Sequence, residues 1–261
     1  MNKMINAAVG ALLAITLATG SSAGMPSSAA PSAPNASARP LAGLTIAIDP
    51  GHQLGNARFP RQINQLVDAG GFKKACNTTG TATNAGVPEA TVAWQVSRAV
   101  RARLVRMGAK VVMTRNANSR HLWGPCVDKR GAFPGQHGAA LMVSIHADGS
   151  SARNRGFHVI APQKRAPWTT TTAKPSLRLA TQLRDALTSA GVPRSTYVGS
   201  GTALSVRSDL GTLNRSVVPV SMIELGNMRN ASDAAKMTTR RGRAQYADAI
   251  VAGVRSYLGR S

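Results

Sequence analysis

Short apolar runs alternating with amphipathic helical patterns constrain this chain more than any other feature. "LTIAI" (44–48), "KVVMT" (110–114), "ALMVSIH" (140–146), "GFHVIA" (156–161) and "VPVSMIEL" (218–225) read as strands. Most are continuous apolar runs, as strands covered on both faces require. Between them, residues 88–108 carry Val92, Val96, Val100 and Leu104 at four-residue spacing, with Pro88 at the first turn and Gly108 at the end. Residues 176–191 repeat the pattern behind Ser176 as N-cap, and 240–258 place Tyr246, Ile250, Val254 and Leu258 on one face. This alternation predicts an α/β layer architecture in one domain from about residue 40 to 261. Residues 53–87 interrupt it with a Gly-, Asn- and Thr-rich connection of little periodicity, a length usual for functional or mobile loops.

The N-terminus reads as an export signal: Lys3, then "AAVGALLAITLATG", then small residues with cleavage points such as Ala23 or Ala38. Residues 1–38 are therefore expected to be a signal peptide and an Ala/Pro/Ser linker, leaving 39–261 as the single folded domain of a secreted protein. In that compartment Cys76 and Cys126, the only cysteines and 50 positions apart, are expected to form a disulfide, with free thiols as the alternative. The formal charge is +22, from 32 basic side chains against 10 acidic ones, and 24 of the basic ones are arginine. Outside the cytoplasm such a field favours anionic wall polymers or lipid headgroups. Nucleic acid is disfavoured, because the charges are dispersed and aromatic residues make up only 4% of the chain, too few for a stacking platform.

Three strands end in groups that can ligate or ionise: His52 after the first, His146 at the third and Glu224 in the last. In open α/β sheets, ligands sit at those carboxyl ends. Glu89 lies in the first turn of the helix after the long loop, and it and Glu224 are the only glutamates in the chain. A charge near a helix N-terminus explains Glu89 on its own. Glu224 resists that explanation, because an acid inside "VPVSMIEL" is costly unless paired, metal-bound or catalytic. Two histidines and a carboxylate match an open zinc site, with a second carboxylate left for proton transfer. No H-E-x-x-H motif is present, so a helix-borne protease site is excluded.

"IAIDPGHQLGN", "PEATV", "VSIHADG" and "SMIELGNMRN", in that order, resemble the zinc-dependent N-acetylmuramoyl-L-alanine amidases of the type-3 (AmiC-like) family, over 44–258. With "RSDLGTLN" (207–214), the cysteine pair and the basic composition, the chain looks closest to single-domain members from mycobacteria and related actinobacteria. The resemblance implies a three-layer α/β sandwich, its twisted, mostly parallel sheet of about six strands covered by helices on both faces. It implies one Zn2+ per chain on His52, Glu89 and His146, Glu224 as the catalytic acid/base, and cleavage of the amide joining the N-acetylmuramic acid lactyl group to L-alanine. Three positions depart from the commoner pattern: "QLGN" where Gly-Gly follows the first histidine, Asp148 for Asn, and Asn227 for an aromatic residue.

Arg207 and Asn227 are the candidate substrate contacts, and Asp49 either orients His52 from behind or simply forms the turn before Pro-Gly. His158, in mid-strand, reads as structural, His121 and His137 as surface residues, and Asn230 as a helix N-cap. Expected partners are peptidoglycan or muropeptide fragments, plus anionic wall polymers through charge, for a monomer with no nucleic acid. The competing functions are a zinc carboxypeptidase acting on stem peptides and a catalytically silent wall-binding protein.

Overall fold

Residues 39–260 are described by a computed structural model, so the expected signal and its cleavage points in 1–38 lie outside the described residues. In chain order the elements are β1 (Thr45–Pro50), α1 (Pro60–Asn64), β2 (Leu66–Asp68), β3 (Lys73–Ala75), α2 (Glu89–Arg106), β4 (Lys110–Met113), α3 (Val127–Gln136) and β5 (Leu141–Asp148). They continue with β6 (His158–Pro162), α4 (Ala173–Ser189), β7 (Leu204–Arg207), α5 (Gly211–Asn214), β8 (Val220–Asn227), α6 (Ala231–Thr238) and α7 (Arg240–Tyr257). Six strands form one sheet in the order β4-β1-β5-β8-β6-β7; only the β8–β6 pairing is antiparallel.

The pleat divides each strand between two unequal cores. Ile46 and Ile48, Leu141, Val143 and Ile145, Val159, and Ile223 and Leu225 join the buried faces of α2, α4 and α7 in the larger core. Val92, Val96, Val100 and Leu104 of α2 are all buried there, as their spacing predicts, and Gly108 at φ +93 turns the chain out of the helix. The alternate residues Ala47, Met142, Ile160, Val220 and Met222 face the other way, against Leu213 of α5 and Phe133 of α3. Helices on both faces of a mostly parallel six-stranded sheet give the three-layer sandwich expected.

Four local readings change. The helix expected at 176–191 begins at Ala173, because Pro175 is tolerated in a first turn whose N–H groups have no partner. Ser176 is therefore no cap: it is buried, its Oγ accepts the Val220 N–H, and its carbonyl accepts the Ser221 hydroxyl. Segment 53–87 is ordered, holding a 3-10 turn at Asn56–Arg58, α1 and the β2–β3 hairpin. Elements of three to five residues are too short to display a period, which is why they read as loop. Helix α3 was hidden by Gly131 and Pro134, both breakers by propensity. Gly131 is needed there, since a Cβ would come within 2.5 Å of Arg215 Cβ on the neighbouring segment.

Candidate active site

β1, β5 and β8 run parallel, so their carboxyl ends open on one edge of the sheet. Alternation places His146 and Glu224 on the face that also holds Met142 and Met222, and the register pairs them directly across β5 and β8. His52 reaches the same edge from the turn after β1. Its backbone is left-handed (φ 54), a conformation costly for a residue with a Cβ unless its surroundings hold it.

The three expected ligands converge. His52 Nε2 lies 3.1 Å, and His146 Nδ1 2.9 Å, from the same oxygen, Oε1 of Glu89. One donor atom from each residue lies within 4.8 Å of the other two, a grouping able to hold a metal ion. The other nitrogen of His52, Nδ1, is 3.0 Å from the Thr78 carbonyl, the kind of outer contact that fixes the tautomer of a metal-bound imidazole. Glu89 is positioned by backbone: Thr81 N–H donates to Oε2 and Ala147 N–H to Oε1. Burial alone would raise its pKa, but the charge of His52 and the hydrogen bonds from both histidines outweigh that and hold it well below the usual carboxylate range. Two glycines leave the space. A Cβ on Gly51 would sit 2.5–2.7 Å from the His146 ring, and one on Gly80 2.7 Å from Glu89 Oε2.

Two arginines that the sequence did not single out hold the β1 turn. Arg130 of α3 donates to the His52 carbonyl at 2.7 Å, to the Pro50 carbonyl, and to Asp49 at 2.5 Å. Arg115, after β4, donates to the carbonyls of Pro50, Gly51 and Ala90. Burial first, then the charge of Arg130, lowers Arg115 to about 9, so it stays cationic at neutral pH. Asp49 does not touch His52. It accepts from Thr114 and Ser144 as well as Arg130, and so reaches His52 only through the Arg130 clamp. Burial raises its pKa, but the charges of Arg130 and His146 and the hydrogen bonds from Thr114 and Ser144 together outweigh burial and lower it to about 2. Nothing local marks these arginines among 24.

Glu224 borders the cleft while its Oε2 is buried without a partner among the described residues. Burial, followed by the charges of Glu89 and Asp148, pushes its pKa well up. Beside it, Tyr197 donates its hydroxyl to Asp148 at 3.0 Å. The two substrate-contact candidates are otherwise engaged. The Asn227 side chain is fully buried, accepting from Ser150 and Arg229 and donating to the Ser151 and Asn154 carbonyls, so it shapes the 150–154 loop rather than facing the cleft. Arg207 turns its fork to Asp209, at 2.6 and 2.8 Å. His121 and His137 are exposed, His158 is buried, and Asn230 caps α6 by accepting from Ser232 and Asp233. Cys76 and Cys126 are bonded, tying the hairpin to the start of α3.

A cleft of about 690 Å³ spans His52, Glu89, His146 and Glu224. Val127, Leu210 and Met222 give it an apolar wall, and its size suits a ligand of several sugar or amino-acid units. The fold and this face define a hydrolase built around a candidate metal centre with a second carboxyl group, Glu224, beside it. A family model described as N-acetylmuramoyl-L-alanine amidase matches residues 46–256, and the chain belongs to that family. It is 40% identical over 233 residues to the N-acetylmuramoyl-L-alanine amidase Rv3717 of Mycobacterium tuberculosis, covering 88% of this chain and 93% of that protein. Its fold is similar to the amidase Ami1 of Mycobacterium smegmatis, with TM-score 0.78, 38% identity, and coverage of 85% and 99% of the two chains. For Ami1 of Mycobacterium abscessus the values are 0.78, 41%, 84% and 100%.

Proposed function

We propose that the protein is a zinc-dependent peptidoglycan amidase that cleaves the bond between the lactyl carbonyl of N-acetylmuramic acid and the nitrogen of L-alanine. The observation that carries this reading is the alignment of Glu224 with His146 in one register, beside three donors that converge from β1, α2 and β5. Two imidazole nitrogens and one carboxylate oxygen are the donor chemistry of a catalytic zinc site. Zinc held by His52, Glu89 and His146 would polarise the scissile carbonyl and make a bound water more acidic.

The chain's own groups then divide the remaining work. Glu224 accepts a proton from the attacking water as the new C–O bond forms. It returns that proton to the alanine nitrogen as the C–N bond breaks, leaving a lactyl carboxylic acid and a free peptide amine. Burial, with Glu89 and Asp148 near it, raises its affinity for a proton above that of an ordinary carboxylate, which suits a group that must take a proton and then return it. Arg130 and Arg115 hold the His52 turn, and the Tyr197–Asp148 pair borders Glu224.

The compartment is the cell envelope, reached through residues 1–38, with 39–261 as the catalytic domain. Among the described residues no helix is long and apolar enough to cross a membrane. Retention on the wall rests on charge. The outer sides of α2, α4 and α7 expose Arg98, Arg101, Arg106, Arg178, Arg240 and Arg241, and the acids there, Asp185 and Asp248, are already paired with Arg184 and Arg103. Mass spectrometry of digested muropeptides, with and without a chelator, tests the activity. Intact stem peptides released from glycan, only without chelator and restored by zinc, support it; loss of a terminal amino acid instead would point to a carboxypeptidase.

A further inference from the structure

β6 adds a third polar residue to the row formed by His146 and Glu224. His158 is the register partner of Glu224 across the antiparallel β6–β8 ladder, as His146 is across β5–β8. The next residue of β6 on this face, Ile160, belongs to the smaller apolar core, so strand packing by itself asks for no imidazole at 158. Opposed residues of an antiparallel pair hold their Cβ atoms about 4.5–5.5 Å apart, within reach of two polar side chains.

Both members of this pair carry an unmatched buried atom. His158 is 3% exposed and its Nδ1 has no hydrogen-bond partner among the described residues; the same is true of Glu224 Oε2. Buried polar atoms in native proteins are nearly always paired. Tyr197, the neighbouring hydroxyl, is engaged with Asp148 and packs edge-on against the His158 ring at 6.1 Å. Burial keeps the His158 ring neutral, its pKa lowered to about 4. A neutral imidazole carries one N–H and one lone pair, so it can donate to a carboxylate or accept from a carboxylic acid, according to tautomer.

We infer that His158 is a positioning residue for Glu224: its Nδ1 holds the buried Oε2 through one bridging water, so that the other carboxyl oxygen stays turned into the cleft. This rests on Glu224 being the proton carrier. A carboxyl group held on both sides of its proton exchange does not need to rotate between taking and returning the proton.

The test compares His158→Phe, His158→Asn and Glu224→Gln in the zinc-loaded full-length chain on a soluble muropeptide. His158→Phe keeps the ring volume and removes both nitrogens; the Asn amide restores a polar group close to the Nδ1 position. The expected result is a fall in kcat of about 10- to 100-fold for Phe, with KM and zinc content within twofold of wild type and most of the loss recovered by Asn. Nitrogen-15 NMR of the zinc-loaded protein should also show the His158 Nδ1 resonance move between wild type and Glu224→Gln, a readout that holds even if His158→Phe fails to fold. An unmoved Nδ1 resonance, an Asn variant no better than Phe, or a Phe variant of unchanged kcat overturns the inference. If Glu224→Gln itself remains active, the proton-carrier reading falls first, and the proposal with it.

Discussion

At the scale of single residues, the site depends on what is missing as much as on what is present. Gly51→Ala would push a methyl group into the His146 ring, and it should weaken zinc retention about 10- to 100-fold in chelator competition while circular dichroism stays unchanged. Glu224→Gln should lower kcat by about 10²- to 10⁴-fold, with zinc content unaltered by elemental analysis. Asp49 gives the acid response a definite sign. Its folded pKa of about 2 lies below the ordinary 3.8, so its contribution to stability is present above about pH 4 and is lost as pH falls toward 2. The difference corresponds to about 2 to 3 kcal/mol. Urea midpoints measured from pH 7 to 2 should show Asp49→Asn uniformly destabilised at neutral pH but lacking that part of the acid loss, because removing one partner leaves Arg130 buried and unpaired.

Elements explain why some of this was legible in the sequence and some was not. His52, His146 and Glu224 could be read because each interrupts a pattern: a polar residue at a strand end or inside an apolar run has few structural uses. Glu89 alone reads as an ordinary charge in a helix first turn, and only the resemblance of "PEATV" marked it as a ligand. Arg115 and Arg130 interrupt nothing, since they follow or sit among polar residues, and only the approach of α3 and the β4 end to the β1 turn gives them a role. The β2–β3 hairpin was illegible for another reason: three-residue strands have no period, and its order comes from the Asp68 carboxylate capping the Gly70 and Gly71 N–H groups and from the Cys76–Cys126 bond. Replacing both cysteines by alanine releases a 50-residue loop and should cost about 4 kcal/mol by chain entropy. A lower melting temperature and faster proteolysis within 66–75 would register it.

For the whole molecule, the two faces of the sheet divide the work. One side packs α2, α4 and α7 over the larger core and shows an arginine-rich outer surface; the other carries the cleft. Changing Arg98, Arg101 and Arg106 together to Glu should reduce sedimentation with purified sacculi several-fold while leaving turnover of a small soluble muropeptide unaltered. Raising NaCl to about 0.5 M should have the same effect on the wild-type protein, because the Debye length, about 10 Å at 0.1 M, shrinks toward about 3 Å at 1 M and screens surface charges.

The sequence by itself determined the class of the fold and the identity of the chemically capable residues. Hydrophobic periodicity is a local property, and an ionisable group inside an apolar run is costly wherever that run is finally placed. Only the tertiary structure decided that Glu89 Oε1 would be the point shared by two histidines, and that Asn227 would serve a loop. It also decided that Asp49 would act through Arg130, and that His158 would stand beside Glu224. Those are matters of strand order and register: β8 enters between β5 and β6, and nothing in the sequence of any one strand records which neighbours it will have.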